Sequence, residues 1–125
     1  MILGIGIDII EVKRIAKHIN DPIFLTKLFT ENEINYCQTR KNSALHFAAR
    51  FAAKEAVIKA FRTGFIKGIK ATDIEVEKNE DGAPVIIVSG KLLELIQPKR
   101  NMKIHVSLAH LENYATASAV IEVDP

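Results

Sequence analysis

Hydrophobic and polar positions change their period along the chain, and each change marks an element. From Ile2 to Ile10 the alternation puts Ile5, Ile7 and Ile9 on one face and Gly4, Gly6 and Asp8 on the other, which is strand spacing. Val12, Ile15, Ala16 and Ile19 then recur at helical spacing, leaving Lys13, Arg14, Lys17 and His18 as a basic exposed surface. Asp21 before Pro22 predicts a helix start, and Thr30 with Glu33 predicts a capping box, so two short helices are expected before Arg40. From Ser43 to about Arg62 there is no Gly or Pro and a high density of Ala, Phe and Leu, the pattern of a long central helix. Thr63, Gly64 and Gly68 mark a loop, after which Ile74 and Val76 alternate with Glu75 and Glu77 as a half-exposed strand. A turn over Asn79 to Gly82 returns the chain through Val85 to Val88 as a hairpin partner, and a short helix from Lys91 to Ile96 stops before Pro98. Ile104, Val106 and Leu108 alternate with His105, Ser107 and Ala109, and after a turn near Asn113 an Ala-rich strand runs from Tyr114 to Val123. The expected class is α+β: a single domain over residues 1–125, with a long central helix packed on a mainly antiparallel sheet.

Composition narrows the class without naming a chemistry. A chain of 125 residues, 48% hydrophobic and 26% charged, suits one globular domain. A net charge of +2 does not mark a nucleic-acid binder. One cysteine, Cys37, cannot form an internal disulfide, and no cluster of thiolates or imidazoles suggests zinc, which points to a reducing compartment. The apolar opening is short, lacks a basic leader and is interrupted by Asp8, so it reads as neither signal peptide nor membrane span. A cytoplasmic protein with no membrane association is expected.

Two places carry candidate chemistry. On the central helix, Phe47, Phe51 and Ile58 share one stripe, while Ala48, Ala52, Glu55 and Lys59 lie along the next. The alanines leave room for a strand or a ligand beside Glu55; the plainer alternative is an exposed i,i+4 ion pair worth about 0.3–0.5 kcal/mol. Asp8, on the glycine side of an apolar strand, must be paired, protonated or bound to a cation, unless it lies at the strand's solvent end. Asp8 and Glu55 together would suit Mg²⁺, a hard ion that keeps waters and takes phosphate oxygens, with Lys59 neutralising phosphate charge.

The stretches GIGIDIIEVKRI, FTENEINYC, FAARFAAKEAVIKAF, DIEVEKNEDGAPVI and IHVSLAHLENYATASAVIE occur in the order and spacing of the holo-acyl-carrier-protein synthases and span nearly the whole chain. The chain resembles the short, single-domain bacterial type of 4′-phosphopantetheinyl transferase. The resemblance implies transfer of 4′-phosphopantetheine from coenzyme A to a serine of apo acyl carrier protein, releasing adenosine 3′,5′-bisphosphate, in the service of fatty acid biosynthesis. It implies a Mg²⁺ cofactor held by Asp8 and Glu55, with Lys59 facing the diphosphate; Lys54 is a weaker candidate. Three groups are open as acceptor of the serine proton: Glu55, Asp8 or a metal-bound water, the water being preferred. SLAH stands at the family's SxSH, which implies Ser107 and His110 as candidate coenzyme A contacts, with His110 alternatively a polar strand-end residue without a ligand, and puts Ala109 in place of a serine. Arg62, Thr63 and Gly64 stand at the family's GTG, also near coenzyme A, with Arg62 either a phosphate contact or a charged helix end.

Lys13, Arg14, Lys17 and His18 would complement the acidic carrier protein. The resemblance further implies a homotrimer with sites between neighbours, and Ala115, Ala117 and Ala119 would suit close packing there. Two rivals predict differently. A basic module for RNA or an acidic protein would set stacking aromatics beside the cations, and a magnesium hydrolase would use water as acceptor.

Overall fold

A computed structural model of the chain describes residues 1–62, 68–98 and 101–125. The elements in order are β1 (Ile2–Glu11), α1 (Val12–Ala16), α2 (Pro22–Leu28), α3 (Glu31–Gln38), α4 (Ser43–Phe61), a 3₁₀ turn (Ala71–Asp73), β2 (Ile74–Lys78), β3 (Pro84–Val88), α5 (Gly90–Ile96), β4 (Lys103–His110) and β5 (Tyr114–Glu122). The two ends of the chain meet: β5 lies between β1 and β4 in an antiparallel three-stranded sheet, while β2 and β3 form a separate antiparallel hairpin.

Local chemistry sets most boundaries. Asp21 accepts from the Ile23 amide at 3.0 Å, and Pro22 opens α2. Thr30 and Glu33 complete the capping box at α3, with 3.3 Å from the Glu33 amide to Thr30 Oγ1 and 2.9 Å from the Thr30 amide to Glu33 Oε1. Asn79 closes the β2–β3 turn by accepting from the amides of Asp81 and Ala83. The helix expected through Ile19 is shorter: α1 ends at Ala16, which is exposed, and Ile15 is its buried residue.

Helix α4 is buried nearly all round, from Phe47 to Ala60, which is why its sequence shows no strong polar face. It lies on the inner face of the sheet, against Ala115, Ala117, Ala119 and Ile121 of β5. The alanines of β5, which would also suit close packing against a neighbour, serve the core of this chain instead. The contact with β1 is closer still. A Cβ at Gly4 would lie 3.0 Å from the Ala60 carbonyl carbon and nearer to its oxygen, and one at Gly6 would lie 2.9 Å from the Ala56 carbonyl carbon and the Ala60 nitrogen. Only glycine admits that approach.

Lys54, weighed above as a site residue, is fully buried instead. Its Nζ meets Glu33 Oε1 at 2.6 Å and the carbonyls of Ala71 and Ile74 at 3.1 and 2.5 Å, while Glu33 Oε2 accepts from the Val76 amide at 2.9 Å. This satisfied pair ties α3 and α4 to β2. Helix α4 ends on Arg62 in the left-handed region, φ 64°, where glycine is usual.

No helix among the described residues is long and apolar enough to cross a membrane. The outer face of the sheet nevertheless carries Ile5, Ile7 and Ile9, exposed by 72, 68 and 66%. Gly6→Ala is expected to lower unfolding stability by about 3 kcal/mol, because a backbone carbonyl cannot yield as a flexible side chain would. Urea unfolding checks this, and a variant as stable as the parent would refute the close contact.

Candidate active site

Asp8 comes from the inner face of β1, two positions past Gly6 and opposite the small Ala117. Because the glycines let α4 settle on this strand, the helix brings the exposed edge of its surface to Asp8. Lys59 Nζ lies 3.0 Å from Asp8 Oδ1 and 3.0 Å from the Ile7 carbonyl oxygen. The Asp8 side chain is 17% exposed and that of Lys59 53%. Asp8 is therefore paired and half-sheltered, which excludes its placement at a solvent-open strand end.

Glu55 stands one helical turn before Lys59. Burial pushes its carboxyl above the usual range, the charge of Asp8 pushes it further in the same direction, and Lys59 partly offsets both. A carboxyl raised by a neighbouring carboxylate, with one ammonium at hand, marks a site short of positive charge. Glu55 also borders a cavity of about 590 Å³ whose lining includes Leu28, Phe51 and Ile69 together with Lys27 and Lys70.

The donor set fits a hard divalent cation. Both candidate ligands are carboxylates, and among the described residues no group of three or more His, Cys, Asp or Glu forms a closed metal cage. Such an open pair suits Mg²⁺, which completes its shell with water and phosphate oxygens.

The other expected residues fall elsewhere. Ser107 and His110 are exposed on β4 and line a second cavity, about 470 Å³, with His46, Arg50 and Lys78; none of Asp8, Glu55 and Lys59 borders it. One copy of the chain does not bring the two groups together. Arg62 is exposed at the end of α4, while Thr63 and Gly64 lie outside the described residues. Lys13, Arg14, Lys17 and His18 are all exposed, the last stacked on Phe24 with ring centroids 4.8 Å apart.

Sequence reasoning missed Arg50. It is only 4% exposed, yet among the described residues no carboxylate lies within salt-bridge distance, and its Nε has no hydrogen-bond partner. A buried guanidinium without an acid is costly unless an anion arrives. His46 beside it is held below the ordinary histidine value by burial first, then by the charge of Arg50, Lys78, Arg40 and His110. The signal was present in the sequence as an arginine amid the alanines and phenylalanines of the central helix.

Comparison with known proteins places the whole chain in a family. Residues 4–119 match the family model described as the 4′-phosphopantetheinyl transferase superfamily. A holo-[acyl-carrier-protein] synthase of Protochlamydia amoebophila is 47% identical over 122 residues, covering 96% of this chain and 98% of the relative; one of Koribacter versatilis is 44% identical over 124 residues, covering 98% and 99%. Among solved structures, the Bacillus anthracis holo-(acyl-carrier-protein) synthase in complex with CoA (3′,5′-ADP) superposes with a TM-score of 0.83 at 38% identity, covering 99% of each chain. The Helicobacter pylori synthase in complex with coenzyme A gives 0.80 at 30% identity, covering 94% of this chain and 99% of that one. With its glycine-seated helix, its carboxylate pair and this full-length similarity, the chain belongs to the 4′-phosphopantetheinyl transferase superfamily, among the holo-acyl-carrier-protein synthases.

Proposed function

We propose that this chain transfers 4′-phosphopantetheine from coenzyme A to a serine of apo acyl carrier protein in the cytoplasm, releasing adenosine 3′,5′-bisphosphate and supplying the holo carrier to fatty acid biosynthesis. The observation that carries this reading is the Asp8, Glu55 and Lys59 cluster in a chain matched end to end by carrier-protein synthases.

Asp8 and Glu55 would hold a Mg²⁺ ion, which supplies charge neutralisation and orientation to the donor diphosphate. Lys59, released from Asp8, would face the same diphosphate and stabilise negative charge as it builds on the transferred phosphorus. The serine hydroxyl gives up its proton to a base of the site, Glu55, Asp8 or a water, as its oxygen forms a bond to the β-phosphorus; the bond from that phosphorus to the bridging oxygen breaks, so adenosine 3′,5′-bisphosphate leaves and no covalent enzyme intermediate is needed. Ser107, His110 and Arg50 would receive the nucleotide end of coenzyme A, with Arg62 at the end of α4 a further phosphate contact.

A homotrimer accounts for two features at once. A neighbouring copy would cover Ile5, Ile7 and Ile9, and it would supply the second cavity to the first cluster. The exposed basic turn of Lys13, Arg14, Lys17 and His18 would receive the acidic carrier.

Incubation with coenzyme A, apo carrier protein and Mg²⁺ is expected to yield a carrier heavier by one phosphopantetheine in intact mass. Asp8→Asn and Glu55→Gln should each lower that turnover about a hundredfold or more while thermal unfolding shows a folded protein. Donor cleavage without carrier modification, or near-normal rates in the variants, would overturn the reading. Ile7→Glu should yield a monomer by light scattering and lose turnover; an active monomer would refute the shared site. Arg14→Glu should raise the carrier KM about tenfold with little change in that for coenzyme A, as initial rates would reveal.

A further inference from the structure

Behind Arg50, away from the cavity that Ser107 and His110 line, stands Tyr36 of α3. Tyr36 borders a smaller cleft with Arg50 and Lys78, and both of these also line the larger cavity, so they form the wall between the two. The guanidinium carbons of Arg50 and Arg40 each lie 4.2 Å from the Tyr36 ring centroid, Lys78 Nζ lies 5.4 Å from it, and the His46 ring meets it edge-on at 6.0 Å. The phenol is drawn below its ordinary value by hydrogen bonding to Lys78 against the cost of burial, with the charges of Lys78, Arg40 and Arg50 adding to the effect.

An arginine this buried is normally oriented by a carboxylate. Glu77 borders both cavities, yet among the described residues it makes no ion pair with Arg50. The hydrogen bond from Arg50 Nη1 to the His46 carbonyl is long, 3.5 Å, and Nε is unpartnered. The aromatic face is the strongest remaining contact on the guanidinium. A flexible cation held in place before the ligand arrives loses less rotamer freedom on binding, which is how a ring that never touches the ligand raises affinity.

We propose that Tyr36 is a positioning residue for donor recognition: its ring holds the Arg50 and Arg40 guanidiniums so that Arg50, where it lines the larger cavity, faces the phosphate monoester on the donor's ribose. The proposal rests on the reading of coenzyme A as donor. It assigns to Tyr36 no part in the transfer itself, so its removal weakens donor binding and spares the chemical step.

The test compares coenzyme A with 3′-dephospho-coenzyme A, which lacks only that monoester. Tyr36→Leu should raise KM for coenzyme A about tenfold and leave kcat and the KM for the dephospho donor within about twofold. Tyr36→Phe, which keeps the ring, should behave as the parent. Equal effects on both donors, a loss in kcat alone, or a Phe variant as impaired as the Leu variant would overturn the proposal. Should Tyr36→Leu fail to fold, Tyr36→Met, a flexible side chain with no aromatic face, decides: the same rise in KM for coenzyme A only is expected, and an unchanged KM refutes the aromatic clamp. A parent enzyme that leaves the carrier unmodified with coenzyme A would defeat the transferase reading instead, so the two failures are distinguishable.

Discussion

The contact between the α4 backbone and β1 at Gly4 and Gly6 determines where every charged group of the candidate site falls. Side chains at those two positions would collide with the carbonyls of Ala60 and Ala56. With hydrogen there instead, the helix seats directly on the strand, and the next inward position, Asp8, comes level with Lys59 and within electrostatic reach of Glu55. A helix held off by even one methyl group would separate the carboxylates that the proposed metal must join. The glycines thus position the candidate site although they touch none of its charged groups.

The same seating explains the distribution of charge. Most of α4 is enclosed, so its polar residues had to find particular solutions. Lys54 is neutralised by Glu33 and two carbonyls and becomes part of the frame, while Glu55 and Lys59 occupy the strip left open. Arg50, nearer the start of the helix, pairs with no acid among the described residues and rests on an aromatic ring beside a second cavity. One end of the helix offers negative charge and the other a free positive one. Phosphates are anionic, so the carboxylate end favours a diphosphate only once a divalent cation sits on it, whereas the Arg50 end attracts a phosphate monoester directly. A neighbouring copy over the isoleucine face would bring the two ends to one ligand.

Much of this was legible in the chain because local chemistry dictates it. Thr30 and Glu33 cap α3 as their spacing predicts, Asn79 and Gly82 close the hairpin, and the alternation in β1 correctly separates glycine from isoleucine. What escaped is tertiary. Period-two spacing says that two faces differ without saying which is buried, and here the isoleucines, not the glycines, face outward. The alanines of β5 would suit a close contact with a neighbour or with a helix equally, and the structure packs them on α4. Lys54 looked like a site residue because its partner, Glu33, lies on another helix. Arg50 and Tyr36 carried no motif of their own, and only their meeting in space gives them meaning.

The central claim is that one cation is shared by acids from the first strand and the long helix. Crystals grown with Mn²⁺ and a donor nucleotide, examined by anomalous scattering, test it most directly. A single strong peak bonded to carboxylate oxygens of both Asp8 and Glu55 at about 2.0–2.2 Å is expected. A peak at other side chains, or acids too far apart to reach the same ion, would contradict it.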